Sequence, residues 1–266
     1  MYSRLLLQER DYKSLEKFLI ESYNEFEKDN LFNRSNHNEK LTLLTYLTNC
    51  LYKTKKQKES IKYAKLLLIS MKEYDSFLHD KYLFFYYNSL VLNYAKTDKE
   101  KALDYLNKAS KNEVIKKLPS YISFIYLNRA LIYFHEDNFI AAKKNMSRLI
   151  LQEDFLLLDK AFQLKILIAD IIIRFENGNE QMGDMILDVK NQDDIIDKIK
   201  GIRRNYKQLL LNEECFRDRE MINIIFKKIN NESVVEDKKR ILSCMSNYES
   251  EDLDIVSYNI WIMDSL

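Results

Sequence analysis

Few side chains in this 266-residue sequence are spaced for catalysis or for holding a metal ion. The histidines, His37, His79 and His135, lie far apart, and none has the second histidine of an HExxH zinc motif. The acidic pairs Asp193–Asp194 and Glu213–Glu214 are neighbours in sequence, so their carboxylates point to different faces of a helix. They cannot work together as an acid and a base, and we expect no enzyme activity, no metal and no cofactor.

The cysteines and the apolar runs indicate where the chain resides. Cys50, Cys215 and Cys244 are odd in number and far apart, without a CxxC spacing, which favours reduced thiols over a disulfide framework. The sequence does not open with a secretory signal, and its longest apolar run is shorter than the ~20 residues of a membrane span. We expect a cytoplasmic protein that does not enter a membrane.

An apolar stripe of helical spacing returns about every 40 residues and defines the elements that must position any site. Its first positions are Leu15, Ser60, Ala102, Ala142, Met182 and Ile222. The gaps between these positions are 45, 42, 40, 40 and 40 residues, and an apolar residue follows four places after each of them. Periods of 20 to 50 residues are typical of solenoids built from repeated helix pairs. With only 3 glycines and 1 proline, the sequence favours long helices joined by short polar turns.

The stripe predicts a single all-α domain over 1–266, with a repeat array over 10–230 and C-terminal capping helices over 231–266. A helix over 11–28 precedes five pairs: 41–53 with 57–71, 79–95 with 99–110, 120–135 with 139–151, 155–176 with 180–189, and 193–212 with 218–229.

Gly178 marks the turn of the fourth pair, and Gly201 inside the fifth predicts a close helix contact. Residues 1–8 are too short to cover the helix that follows, so we expect either different packing there or a preceding domain. Helices over 234–248 and 253–263 end the chain, and we expect the last one, which carries Trp261, to cap the stack or to dock on a partner.

The third pair has aromatic and small residues at Tyr126, Ala130, Tyr133 and Ala142, and the second pair has apolar ones at Ala102, Leu106 and Ala109. In this arrangement, the third pair above all resembles the tetratricopeptide repeat family. The period here is about 40 residues instead of about 34, and the small residue of the second helix is replaced at Ser60, Met182 and Ile222. The resemblance implies about 12–14 helices in a right-handed superhelix whose concave groove is lined by the first helix of each pair.

The resemblance also implies a site for an extended peptide. In that family an asparagine on the first helix often bonds the peptide backbone, and Asn88 and Asn128 lie 40 residues apart, each 14 before the small residue of its pair. An amide both donates and accepts, so it can hold a peptide unit whatever its side chains. Neighbouring residues expected to offer apolar pockets are Tyr87, Phe124, Leu127 and Leu131. Asn49 fits the spacing less well, and the alternative is that all three asparagines hold neighbouring helices together or lie exposed.

Function is therefore predicted to be non-catalytic binding of a protein or peptide, with two alternatives. One is a regulatory module similar to bacterial peptide-pheromone receptors but without a DNA-binding head, and the other is a self-associating scaffold. Residues 1–150 hold 26 Lys and Arg against 18 Asp and Glu, and residues 151–266 hold 16 against 23. This uneven charge predicts one of two things. Either the basic half of one copy binds the acidic half of another to form a homo-oligomer, or the charges only solvate the outer faces of the helices. Nucleic acid is not expected, because no recognition helix accompanies the basic run around Lys53.

Overall fold

A computed structural model describes residues 6, 9, 11–182, 189–243 and 255–265. Every regular element in these ranges is helical and no strand occurs in them, which confirms the all-α prediction. The chain divides into two compact units, Met1–Ile125 (unit 1) and Tyr126–Leu266 (unit 2). A right-handed superhelix over the whole chain stays a prediction.

Unit 1 is a series of helices in which each packs on its neighbours in sequence. Its helices are α1 (Tyr12–Lys28), α2 (His37–Lys53), α3 (Gln57–Ser70), α4 (His79–Thr97), α5 (Lys99–Lys111) and the short α6 (Glu113–Lys116). α2 and α4 also pack against each other. The starts of α1 and α5 are set by side-chain caps, since Asp11 accepts a hydrogen bond from the backbone of Ser14 and Asp98 accepts one from the backbone of Lys101, both at 3.1 Å. Leucines such as Leu44, Leu67 and Leu90 fill the core with no exposed surface.

Unit 2 has a longer central helix. Its helices are α7 (Asn128–Phe134), α8 (Phe139–Ile150), α9 (Lys160–Met182), α10 (Val189–Asn205), α11 (Lys207–Leu210), α12 (Phe216–Ile229), α13 (Val235–Ser243) and α14 (Tyr258–Ser265). α9 packs on α8, α10 and α12, and its isoleucines at 166, 168, 171, 172 and 173 are fully buried. A π-helical segment, Ser123–Leu127, leads into α7.

The predicted turn of the fourth pair is wrong. α9 runs without interruption from Lys160 to Met182, through Gly178, and Asn177 is 4% exposed on it instead of lying in a surface turn. Met182 therefore ends this helix and does not open the face of a second one. Packing of the apolar face outweighs the roughly 1 kcal/mol that a glycine costs inside a helix. Of the helix expected over 180–189, residues 183–188 lie outside the described part of the chain.

Other boundaries shift for local reasons. The helix expected over 155–176 starts at Lys160, because Glu153–Leu157 forms a 3₁₀ turn, and the helix expected over 193–212 is divided into α10 and α11. The close contact predicted at Gly201 is wrong, since a Cβ there would meet no heavy atom within 4 Å. The helix expected over 234–248 is described only as far as Ser243, and the helix expected over 253–263 begins at Tyr258. Most of residues 1–8 and all of residues 244–254 lie outside the described residues.

The last helix packs on its own unit. The Trp261 indole N–H donates to Glu176 Oε1 at 2.6 Å, and its ring lies 5.8 Å from the ring of Phe175 in an edge-to-face arrangement. Trp261 is 3% exposed. Within unit 2, Trp261 of α14 therefore contacts Phe175 and Glu176 of α9, and the capping role of α14 stays a prediction. Among the described helices, none is long and apolar enough to cross a membrane.

Candidate functional site

A surface groove lies between α2 and α4 of unit 1, with a volume of about 150 Å³. We call it the α2–α4 groove. From α2 it is lined by Thr45, Tyr46, Thr48, Asn49 and Tyr52. From α4 it is lined by Phe85, Asn88, Ser89, Leu92 and Asn93. All these side chains are hydroxyls, amides, aromatic rings or aliphatic groups, and none is charged, so the groove suits a neutral ligand that forms hydrogen bonds.

Asn88 lines this groove with its side-chain amide. The side chain is half-buried, and within the described part of the chain it has no hydrogen-bond partner. Asn49, on the facing helix, lines the same groove and is exposed. The structure therefore brings Asn88 together with Asn49, the weaker candidate from spacing, and these two amides have the chemistry of a backbone clamp.

The floor of the groove is a hydrogen-bonded network that fixes one amide. Asn93 Nδ2 donates to Ser60 Oγ and to the backbone oxygen of Ser89, both at 2.8 Å. Ser60 Oγ in turn donates to the backbone oxygen of Thr48 at 2.7 Å. Because a carbonyl only accepts, the NH₂ group of Asn93 must face Ser89, and the side chain cannot be flipped. The network ties α3 and α4 to α2 beneath the groove.

Two polar atoms at this floor have no partner among the described residues. They are Asn93 Oδ1 and Ser89 Oγ, on side chains that are 0% and 7% exposed. A buried polar atom without a hydrogen bond costs about 1–3 kcal/mol, so each of these atoms lowers the stability of the floor. Sequence spacing did not reveal Asn93 or Ser89, because their role depends on Ser60, 33 residues before Asn93.

Tyr87 and Phe124 are not among the groove-lining residues. Tyr87 is half-buried beside Tyr86, with ring centroids 5.3 Å apart, and burial raises its pKa while Lys108 of α5 lowers it. Phe124 is 5% exposed and packs on Phe84 at 5.1 Å between ring centroids. Both take part in the packing of unit 1, and their role as apolar pockets stays a prediction.

The remaining predicted residues lie in unit 2. Leu127 ends the π-helical segment, and Asn128 and Leu131 lie on α7, all three half-buried. The pairing of Asn88 with Asn128 as two clamps stays a prediction, since the two asparagines belong to different units.

Two of the chemically reactive side chains, His37 and Cys50, are buried. In the described ranges, no group of three or more His, Cys, Asp or Glu side chains is arranged to hold a metal ion. His37 is 1% exposed, between the rings of Tyr74 and Phe77, and burial lowers its pKa. Burial raises the pKa of the Cys50 thiol to about 12, and its Sγ donates to the backbone oxygen of Tyr12 at 3.0 Å. A thiol with that pKa is almost entirely protonated at neutral pH and is a poor nucleophile.

No protein-family model, curated protein or solved structure matches this chain. Its function is therefore inferred from its own residues.

Proposed function

We propose that the protein binds an extended, uncharged stretch of polypeptide in the α2–α4 groove, without catalysis. The observation that carries the proposal is the Asn88 amide, half-buried at a groove lined only by neutral side chains and without a partner among the described residues. An amide in that position satisfies both the N–H and the C=O of one peptide unit, and Asn49 on the facing helix offers the same chemistry.

The lining also supports a peptide over a small apolar ligand. Hydroxyl and amide groups from Thr45, Thr48 and Asn49 line the groove together with the rings of Tyr46 and Phe85. The two threonine hydroxyls already donate to backbone oxygens of α2, so they remain as acceptors. Aromatic rings pack against side chains, while the polar groups hydrogen-bond to the backbone between them. A charged side chain would enter this groove without a counter-ion, which disfavours charged segments.

A random peptide library displayed on phage tests the proposal. We expect the native chain to enrich sequences with an uncharged stretch, and a synthetic copy of an enriched sequence to bind Asn88→Ala about tenfold more weakly, because two neutral hydrogen bonds are lost. The control is Asn24→Ala, the same truncation at an exposed position of α1 outside the groove. Far-UV circular dichroism checks that both variants stay helical.

Three results would reject this function. One is enrichment of no sequence by the native chain, and another is equal affinity of native protein and Asn88→Ala for the enriched peptide. Binding lost equally in Asn24→Ala and Asn88→Ala would also contradict it, because the effect would then not belong to the groove.

A further inference from the structure

A second groove lies on unit 2, where α10 ends, α11 follows and α12 begins. Its volume is about 240 Å³, and we call it the cationic groove. Three basic side chains and three apolar ones form its walls: Arg203, Lys207 and Arg219 with Leu210, Leu211 and Ile222. It shares no residue with the α2–α4 groove, so a ligand of the cationic groove is independent of the proposed function.

Among the described residues, no acidic side chain compensates the positive charges of this groove. Among the described residues, none of Arg203, Lys207 and Arg219 has an ion-pair partner, and no acidic side chain lines the groove. Yet this half of the sequence is acidic, with 23 Asp and Glu against 16 Lys and Arg over 151–266. The helix dipole favours basic residues near the end of a helix, where Arg203 lies in α10. Arg219 instead lies near the start of α12, where the helix dipole disfavours a cation. Three unpaired cations around one cavity thus need an explanation beyond solvation of the helix ends.

Both guanidinium groups are held in place by the protein itself. Arg203 Nη2 donates to Asn223 Oδ1 at 2.9 Å, and its guanidinium lies 4.7 Å from the ring of Phe226. Arg219 Nη1 donates to the backbone oxygen of Leu210 at 2.8 Å, and its guanidinium lies 5.5 Å from the ring of Phe216. A guanidinium has five N–H donors, so most donors of each arginine remain for a ligand. Holding the side chains beforehand reduces the entropy lost on binding.

The apolar walls define the rest of the ligand. Leu211 is 63% exposed, and Ile222, 1% exposed, forms the base. An inorganic anion would satisfy the cations but leave these side chains in water. From charge and walls together we propose that the cationic groove binds a carboxylate carried on an apolar group of about the size of one amino-acid side chain. Such a group comes either from a free carboxylate amphiphile or from an acidic residue beside a leucine-like residue in a polypeptide.

Isothermal titration of the full chain with four probes tests this site. Octanoate represents the free amphiphile, and the peptide N-acetyl-Leu-Glu-Leu-amide represents the polypeptide source. Inorganic phosphate supplies charge without an apolar part, and octanamide supplies the apolar part without charge. We expect octanoate or the peptide to bind more tightly than phosphate and octanamide. Whichever of these two carboxylates binds more tightly identifies the source of the ligand, a free amphiphile or a polypeptide. Equal or weaker binding of both carboxylates would overturn the proposal.

Variants show whether the binding is at this groove. Arg203→Gln and Lys207→Gln should each weaken the better carboxylate by about tenfold or more, because a hydrogen bond to a charged group is lost. Lys207 is exposed and has no hydrogen bond or ion pair among the described residues, so its variant tests the site even if Arg203→Gln is unstable. The control is Arg204→Gln, an identical loss of charge on the adjacent residue, which does not line the groove. Unchanged affinity in Lys207→Gln, or equal loss in Arg204→Gln, would overturn the proposal.

Discussion

Removal of one buried hydroxyl, in the variant Tyr258→Phe, tests how the last helix is held to unit 2. Tyr258 is 1% exposed on α14, and its hydroxyl donates to Asp218 Oδ1 of α12 at 2.8 Å. Asp218 is itself 2% exposed and accepts two hydrogen bonds from Lys165 Nζ, both at 3.2 Å. The change to phenylalanine keeps the ring and removes one of the donors to a buried carboxylate.

The magnitude follows from the charge of the acceptor. A hydrogen bond to a charged group contributes about 1.5–3 kcal/mol, and a neutral one about 0.5–1.5 kcal/mol. Tyr206 supplies the matched neutral case in the same unit, since its hydroxyl donates to Gln163 Oε1 at 2.7 Å. Tyr258→Phe should therefore lower the free energy of unfolding by more than Tyr206→Phe, by about 1 kcal/mol or somewhat above.

Urea unfolding measures the difference. Trp261, the single tryptophan of the chain, lies on the same helix as Tyr258, so its fluorescence reports the packing of α14, and circular dichroism reports the helices as a whole. Linear extrapolation of both signals gives the free energy of unfolding for the native chain and for each variant. An equal or smaller loss in Tyr258→Phe than in Tyr206→Phe would refute the idea that the buried carboxylate makes the stronger bond.

Two further variants test a helical glycine with open space beside it and a buried histidine. Gly201→Ala should raise the free energy of unfolding by up to about 1 kcal/mol, because the position is helical and the new Cβ meets no heavy atom within 4 Å. Thermal unfolding measures this change, and a loss of stability would contradict the open space beside Gly201. Burial lowers the pKa of His37 from 6.5, so the unfolded chain binds the proton more readily and the free energy of unfolding should fall as pH drops from about 7.5 to 5.5. The decrease should be smaller in His37→Phe than in the native chain, with His79→Asn as the control, and equal pH dependence in all three would show that His37 does not contribute it.

Local signals in the sequence were enough to place several helices. The helix expected over 99–110 is α5, which begins at Lys99 because Asp98 caps it, and the helix expected over 57–71 is α3, one residue shorter. Such ends depend on residues three or four positions away, which the sequence shows directly. At Gly178 the same local reasoning failed, since burial of the isoleucine face of α9 outweighs the preference of glycine for a turn.

The candidate site was only partly predictable. Asn88 was found from its spacing, but the spacing paired it with Asn128, whereas the groove pairs it with Asn49. Asn93 was not predicted, because its role comes from hydrogen bonds to Ser60, a residue on another helix. Such sites are formed by contacts between side chains that are distant in sequence. The spacing of residues along one sequence does not reveal these contacts.

The packing of each helix mainly on its neighbours in sequence has a consequence for how the chain folds. In unit 1, α1 packs on α2, α2 on α3, α3 on α4 and α4 on α5, so most contacts close short loops. Short loops lose little entropy on closure, and proteins with such local contacts fold quickly. Each helix of unit 1 can therefore find its partner as soon as the next one has been synthesised, and this part of the chain can become ordered progressively from its N-terminal end.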